Sequence, residues 1–479
     1  SGYSETGGAL LTWEVLFSMT LQNANEYVAQ NAARANEQFR PLYHASAPVG
    51  WINDPNGFIH YQGQYHLYCQ HHPYDTVWGP MHWGHWTSND LLRWQWHGDV
   101  LAPDAPFDAL GCFSGTALEQ KGKLYLMYTG VSRAADGKSV QQQCIAESDG
   151  GFALRKWPEN PVIRSRDLPE GASSVDFRDP KLFAVPGGYR AVMASRGEKG
   201  GQLLAYDSPD LLHWTFAGKP VEGVGEMLEC PDCFALDGHE VYIACAMGLP
   251  MDGLRFPGSQ TAVWLAEGRM EALDLGLDFY APQTALAPDG RRILIAWMHS
   301  WDHEAPTHRL GHLWANTMTL PRELSWENGK LLSRPAREVR SLRRDARAFA
   351  GEFHAACPNA CELEVEFAPR PGGRLEIRLL DGFLIEYDAA SEILRVDRSA
   401  CAYSMGPGGA KEKQPWAAAN VPPRDGKLIL DVFVDACSVE VFANDGEAVL
   451  SSAAYPGEAR VASVQSANGA CRGTLWALA

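Results

Sequence analysis

Five stretches of this chain share one plan: a short polar or acidic cluster, an apolar run, a glycine-containing turn and a second apolar run. They open at Asp54, Ser114, Asp179, Glu229 and Tyr280, and close at Tyr68, Tyr128, Met193, Ile243 and Trp297. Strands joined by glycine turns occur in any β-rich protein, but here a second periodicity runs offset from the first. Trp86-Thr87-Ser88 is echoed by Ala146-Glu147-Ser148 and by Tyr206-Asp207-Ser208, so the serines recur every 60 residues. A unit of roughly 50–60 residues with about four strands is the signature of a β-propeller. Five hairpins predict five blades, each with its first strand innermost and the start of that strand lining a central funnel. Three of the five openings carry a carboxylate: Asp54, Asp179 and Glu229. Around one axis those carboxylates face each other, which makes the funnel a candidate active site.

After Trp297 the pattern changes. Trp314 to Leu324 closes the propeller region, and the arginine-rich run Ser333 to Arg347 reads as a basic linker, partly helical. From about Glu352, period-2 alternation begins in 362–367, 374–379, 383–387, 427–434 and 438–442, with turns such as Asn444-Asp445-Gly446. That pattern predicts a β-sandwich. The expected fold is all-β: a helical extension over 1–38, a five-bladed propeller over 39–335, a linker over 336–351 and a sandwich over 352–479. In the extension Leu10, Leu11, Trp13, Leu16, Phe17, Leu21, Tyr27 and Val28 fall mostly at helical spacing. One or two amphipathic helices there would pack on the protein's own surface or, in a homodimer, on a partner subunit.

Bulk properties exclude several classes. A net charge of −17 argues against nucleic acid and anionic membranes as partners. No segment reaches the ~18 apolar residues that would span a bilayer. The apolar segment from Ala9 to Leu21 contains Glu14 and follows no Lys or Arg, so it lacks the basic flank of a secretory signal. Eleven cysteines without a disulfide-scaffold spacing favour a reducing compartment, the cytoplasm; a secreted protein that had lost its signal peptide would read the same way. Cys230-Pro231-Asp232-Cys233 has redox or metal spacing but no second pair to complete a zinc site, and reads as buried free thiols.

Three motifs narrow the class further. Trp51-Ile52-Asn53-Asp54-Pro55-Asn56-Gly57, Phe177-Arg178-Asp179-Pro180 and Glu229-Cys230 resemble the signatures of glycoside hydrolase family 32, which includes invertases, sucrose-6-phosphate hydrolases, inulinases and levanases. The likeness extends, in order, through Phe39 to His44, Trp83-Gly84-His85, Phe113-Ser114-Gly115, Asp278 to Gln283, Leu320 to Glu323 and Asp435 to Glu447. The resemblance implies Asp54 as nucleophile, Glu229 as general acid/base and Asp179 as transition-state stabiliser. It implies Asn53, Gln70, Trp78, Phe113, Ser114, Arg178 and Tyr280 as substrate-binding residues, and neither a metal nor a cofactor.

Those roles fit the chemistry. Cleaving a fructosidic bond builds positive charge at the anomeric carbon and needs a proton for the departing oxygen, so a retaining enzyme pairs an ionised carboxylate with a protonated one. Asn53 could hold Asp54 ionised, and Arg178 stands beside Asp179 to keep it charged. One departure from the family pattern lies at Tyr68-Cys69-Gln70-His71-His72-Pro73, where the neighbours of Gln70 differ. His71, His72, His82 and His85 read as a polar loop without a carboxylate partner. The implied activity is hydrolysis of sucrose or short fructo-oligosaccharides. Fructosyl transfer and hydrolysis of sucrose-6-phosphate use the same triad, the latter with Arg133, Arg196 or Lys199 as candidate phosphate contacts. A non-catalytic fructan-binding protein would lack one of the acids, and all three are present.

Overall fold

The computed structural model describes residues 19–258, 260–409 and 411–479. Among them, five blades succeed one another in the order of the hairpins. The first holds Gly50–Tyr61, Gln64–His72, His82–Ser88 and Gln95–Leu101, and the second Gly111–Gln120, Lys123–Arg133, Ser139–Ser148 and Arg155–Lys156. The third holds Phe177–Val185, Gly188–Gly197, Gly200–Ser208 and Thr215–Val224; the fourth holds Met227–Leu236, His239–Met247, Gln260–Ala266 and Arg269–Ala272. The fifth is built from Tyr280–Leu286 and Arg292–Trp297 and, after an excursion through 298–321, Arg322–Glu327 and Lys330–Pro335. The first strands contact one another around a closed ring, the fifth returning to the first. Gly50-Trp51 also pairs in parallel with Trp314-Ala315, so the excursion fastens the closure.

Alternation along the second strands explains why the blades stack. In the third blade Ala191 and Met193 pack toward Met127 and Ile145 of the second, whereas Val192 and Ala194 pack toward Leu228, Ala244 and Val263 of the fourth. Successive side chains of a strand point to opposite faces, so one apolar strand feeds two inter-blade cores.

The C-terminal module is a sandwich built on two long strands, Cys361–Leu379 and Val461–Leu478. Cys361 to Phe367 pairs with Leu428 to Val434, and Arg374 to Leu379 pairs with Phe383 to Asp388. The two strands expected at 362–367 and 374–379 are therefore one, broken in register between Pro369 and Arg374, whose halves pair with different neighbours. The expected linker also differs. Arg337–Leu342 is a single 3-10 helix, and Arg343–Ala350 is a strand paired with Val461–Leu478. Its charges suit a sheet margin; Arg343 sits 2.5 and 2.6 Å from Glu362 and Glu364, over the Trp476 ring.

Of the N-terminal extension, residues Leu10 to Phe17 lie outside the described residues. Leu21–Asn31 is an α-helix started by Thr20, whose hydroxyl accepts from the Asn23 N–H. It packs in cis on the first blade: the Asn25 side chain exchanges two hydrogen bonds with the Asp99 backbone, and Tyr27 meets Tyr74 edge to face. No helix among the described residues is long and apolar enough to cross a membrane.

Buried ions join propeller to sandwich. His44 lies between Asp435 (2.7 Å) and Glu440 (2.9 Å), fully enclosed. Burial alone would push its imidazole down, but the two carboxylates outweigh that and raise it to about 9. A raised histidine stabilises the fold fully below its unfolded value near 6.5, and that contribution is lost as pH climbs through about 9. Thermal unfolding of the native protein is therefore expected to show a falling Tm between pH 7 and 10. In His44→Gln the slope over that window should flatten, and an unchanged slope would count against this assignment.

Candidate active site

Every inner strand breaks register near the axis. In the third, fourth and fifth blades two residues face one on the second strand: Asp179-Pro180, Cys230-Pro231 and Ala281-Pro282. The residue before each proline takes a positive φ, 64° at Asp179, 48° at Cys230 and 52° at Ala281. Such strain costs on the order of 1–3 kcal/mol and is kept where geometry demands it. The first and second blades break at Asn53-Asp54 and at Ser114. Bulges re-aim side chains, and these turn a ring of them onto the axis.

This register corrects the alignment of the repeats. The place of Asp179 is held by Cys230 in the fourth blade and by Ala281 in the fifth. Glu229 and Tyr280 instead match Arg178, one residue before the bulge, so those three side chains stand in succession on adjacent blades. Their contacts follow. Arg178 donates to Glu229 Oε1 through Nη2 (2.7 Å) and Nε (3.1 Å), and the Tyr280 hydroxyl donates to Glu229 Oε2 (2.5 Å). Arg178 thus hydrogen-bonds Glu229 across the blade boundary while its charge also acts on its neighbour Asp179, as expected.

The three acids come together and are nearly enclosed, with Asp54, Asp179 and Glu229 at 8%, 5% and 8% exposure. Asp54 accepts from the Ser114 hydroxyl (2.5 Å), the Asn53 amide (3.1 Å) and the Cys230 thiol (3.4 Å). Asp179 accepts from the Cys230 backbone N–H (2.8 Å), while its own N–H donates to Thr129. Burial pushes both aspartates above the carboxylate range. For Asp179 the Arg178 cation opposes this while the charges of Asp54 and Glu229 add to it, reaching about 7. For Asp54 the Ser114 hydrogen bond opposes burial and the Glu229 charge adds to it. Aspartates so coupled titrate together, and the hydrogen bonds to Asp54 work against its burial.

The remaining predicted residues divide between the mouth and the frame. Trp78, 37% exposed, meets Phe113 edge to face at 5.9 Å, forming an aromatic lip. Gln70 is buried, its amide donating to the Cys112 carbonyl and so tying first blade to second. The four histidines sit in buried strands or at their ends, not in a polar loop, and His71 bonds Asp99 at 2.7 Å. Among the described residues, the group close enough to share a metal ion is Glu362, Glu364 and Asp431 in the sandwich, where Arg343 already pairs with both glutamates.

Several residues of the site escaped sequence reasoning. Cys230 touches both aspartates, Gln141 accepts from Arg178, and the Trp51 indole donates to Asn53 and lies alongside Trp301. The signal for Cys230 was its place beside Glu229; Gln141 and Trp301 lie in no motif. Below the acids the axis narrows to a cavity of about 10 Å³ lined by residues of all five inner strands, among them Pro55, Thr116, Asp179, Pro231 and Gln283. A larger cleft, about 1130 Å³, lies between the fifth blade and the sandwich and is lined by none of the three acids.

Comparison with known proteins converges on one family. Residues 44–335 match the family model described as Glycosyl hydrolases family 32 N-terminal domain, and residues 336–475 match Glycosyl hydrolases family 32 C terminal. The raffinose invertase of Escherichia coli is 36% identical, over 96% of this chain and 99% of that protein. The sucrose-6-phosphate hydrolase of Bacillus subtilis is 34% identical, over 91% and 93%. Among solved structures, the Bombyx mori GH32 beta-fructofuranosidase superposes with a TM-score of 0.83 at 30% identity, covering 96% of this chain and 98% of its own.

Proposed function

The chain belongs to glycosyl hydrolase family 32, and from that premise we propose that it hydrolyses the fructosidic bond of sucrose or short fructo-oligosaccharides with retention of configuration. The observation that carries this reading is the convergence of Asp54, Asp179 and Glu229, nearly enclosed, at the bulges of the inner strands. In the first step Asp54 attacks the anomeric carbon while Glu229 gives its proton to the departing glucosyl oxygen. In the second, Glu229 takes a proton from water, which releases fructose from Asp54. Asp179 does not react; its carboxylate grips ring hydroxyls and offsets the charge that develops on the ring. Tyr280 and Arg178 orient Glu229 from two adjacent blades. The fructosyl unit sits against the acids, with the leaving group outward past Trp78 and Phe113.

The position of the leaving group bears on the choice between sucrose and sucrose-6-phosphate. The cations named as phosphate contacts are engaged: Arg196 with Asp176 at 2.9 Å, Lys199 with Glu222 at 2.9 Å, and Arg133 with the Gly137 carbonyl at 3.0 Å. A phosphate would have to displace them, which favours the unphosphorylated sugar. Rates with sucrose, sucrose-6-phosphate, kestose and inulin test this. We expect kcat/KM for sucrose to exceed that for sucrose-6-phosphate, and a reversed order by tenfold would sink the assignment. Fructose release well below glucose release at high sucrose would identify transfer instead.

Tyr280→Phe removes one hydrogen bond to a carboxylate, which is worth about 1.5–3 kcal/mol. It should lower kcat/KM about tenfold or more with little change in Tm, as read by coupled assay and calorimetry.

A further inference from the structure

Behind Glu229 the charges alternate outward along one line. Arg178 holds Glu229 with Nη2 and Nε, and its Nη1 donates to Asp176 (3.1 Å) and to Gln141 (3.2 Å). On its far side Asp176 accepts from Arg196 Nε (2.9 Å). Side-chain exposure rises along the series, from 8% at Arg178 through 23% at Asp176 to 43% at Arg196. The outer pair is held by backbone as well. The Arg196 N–H donates to the Asp176 carbonyl, and the Asp176 N–H donates to the Ser173 hydroxyl. Partial burial works against ionisation of Asp176, but hydrogen bonds from Arg196 and Arg178 hold its carboxyl below its ordinary range.

We propose that Asp176 and Arg196 are positioning residues that set, through Arg178, how firmly Glu229 is held as an anion, and so the pH above which the enzyme loses its proton donor. The inference rests on the reading of Glu229 as the acid. One guanidinium serves Glu229, Asp179 and Asp176, and each carboxylate offsets the cation felt by the others. Without the Asp176 charge, Arg178 acts more strongly on Glu229 and favours its anion. Without Arg196, Asp176 offsets Arg178 more fully and the anion is favoured less. The other groups that face Glu229 are Asp54 from the first blade, Asp179 from the third, Cys245 from the fourth and Tyr280 from the fifth, and neither substitution touches them.

The test is the pH dependence of kcat/KM for sucrose, whose alkaline limb reports the free enzyme's acid. Asp176→Asn should move that limb down by about half a pH unit or more, and Arg196→Gln should move it up by a similar amount, as unit charges several ångströms away do at a partly wet site. The double variant should return near wild type. A purely structural role would lower the height of the profile without moving the limb, and either that result or two shifts of the same sign would overturn the proposal. Should Asp176→Asn fail to fold, the sign of the shift in half-exposed Arg196→Gln decides alone. Glu229→Gln separates the two levels. If it retains wild-type activity, the acid assignment itself falls; if it is inactive while the limbs stay put, only the relay falls.

Discussion

Asp54→Ala is expected to lower kcat for sucrose by about 10³-fold or more, the scale seen when a covalent nucleophile is removed. The loss should come without a loss of fold. Asp54 is buried, is pushed above the carboxylate range by that burial and is repelled by the Glu229 charge; functional strain of this kind costs stability. Calorimetry should therefore find a Tm equal to or above that of the wild type. A variant both inactive and much less stable would make Asp54 a structural residue instead. Its neighbour gives a graded comparison. Ser114→Ala removes one donor and keeps the carboxylate, so activity should fall by less than in Asp54→Ala.

The second large effect falls on stability. Arg322 is 1% exposed and donates to Asp274 (2.9 Å) and Glu440 (2.6 Å), joining the fifth blade to the sandwich. Its guanidinium also lies over Phe279 and Phe442. Arg322→Ala leaves Asp274 buried without its cation and Glu440 with the His44 cation alone, and removing one partner of such a set costs about 3–5 kcal/mol. Glu440 also binds His44 and the Leu320 N–H, so the damage should spread across the module boundary. Urea titration should show the loss directly. Arg337→Ala, which breaks an ion pair whose arginine is 62% exposed, should change stability by under about 1 kcal/mol. Equal losses in the two variants would refute the claim that the buried network holds the modules together.

Much of this architecture can be read from spacing alone, because each blade repeats one hairpin and the carboxylates stand near its start. One exception is a single residue of register. Aligning the hairpins on their polar clusters places Glu229 and Tyr280 with Asp179, whereas the bulges place them with Arg178. A bulge is a property of two paired strands and leaves little trace in one of them. A cue was present: Pro55, Pro180, Pro231 and Pro282 follow Asp54, Asp179, Cys230 and Ala281, and alignment on proline gives the observed register. Arg178 acts on the charge of neighbouring Asp179, but its hydrogen bonds to Glu229 cross a blade boundary that sequence adjacency does not reveal. His71 was hidden by distance: Asp99, its partner, lies 28 residues on. The strand Arg343–Ala350 pairs with the far end of the chain, and no local pattern marks so distant a partner. The roles of the three acids, by contrast, came from the family resemblance; charge and spacing alone gave only a funnel lined with carboxylates.

The central claim is that Asp54 carries the fructosyl group between the two steps. A β-fructofuranosyl donor whose leaving group needs no proton, such as the fluoride, should load Glu229→Ala quickly and leave it slow to discharge, because the base of the second step is gone. Mass spectrometry of the quenched, digested protein should then find the peptide containing Asp54 heavier by one hexosyl residue. No adduct, or an adduct on the peptide containing Asp179, would contradict the account.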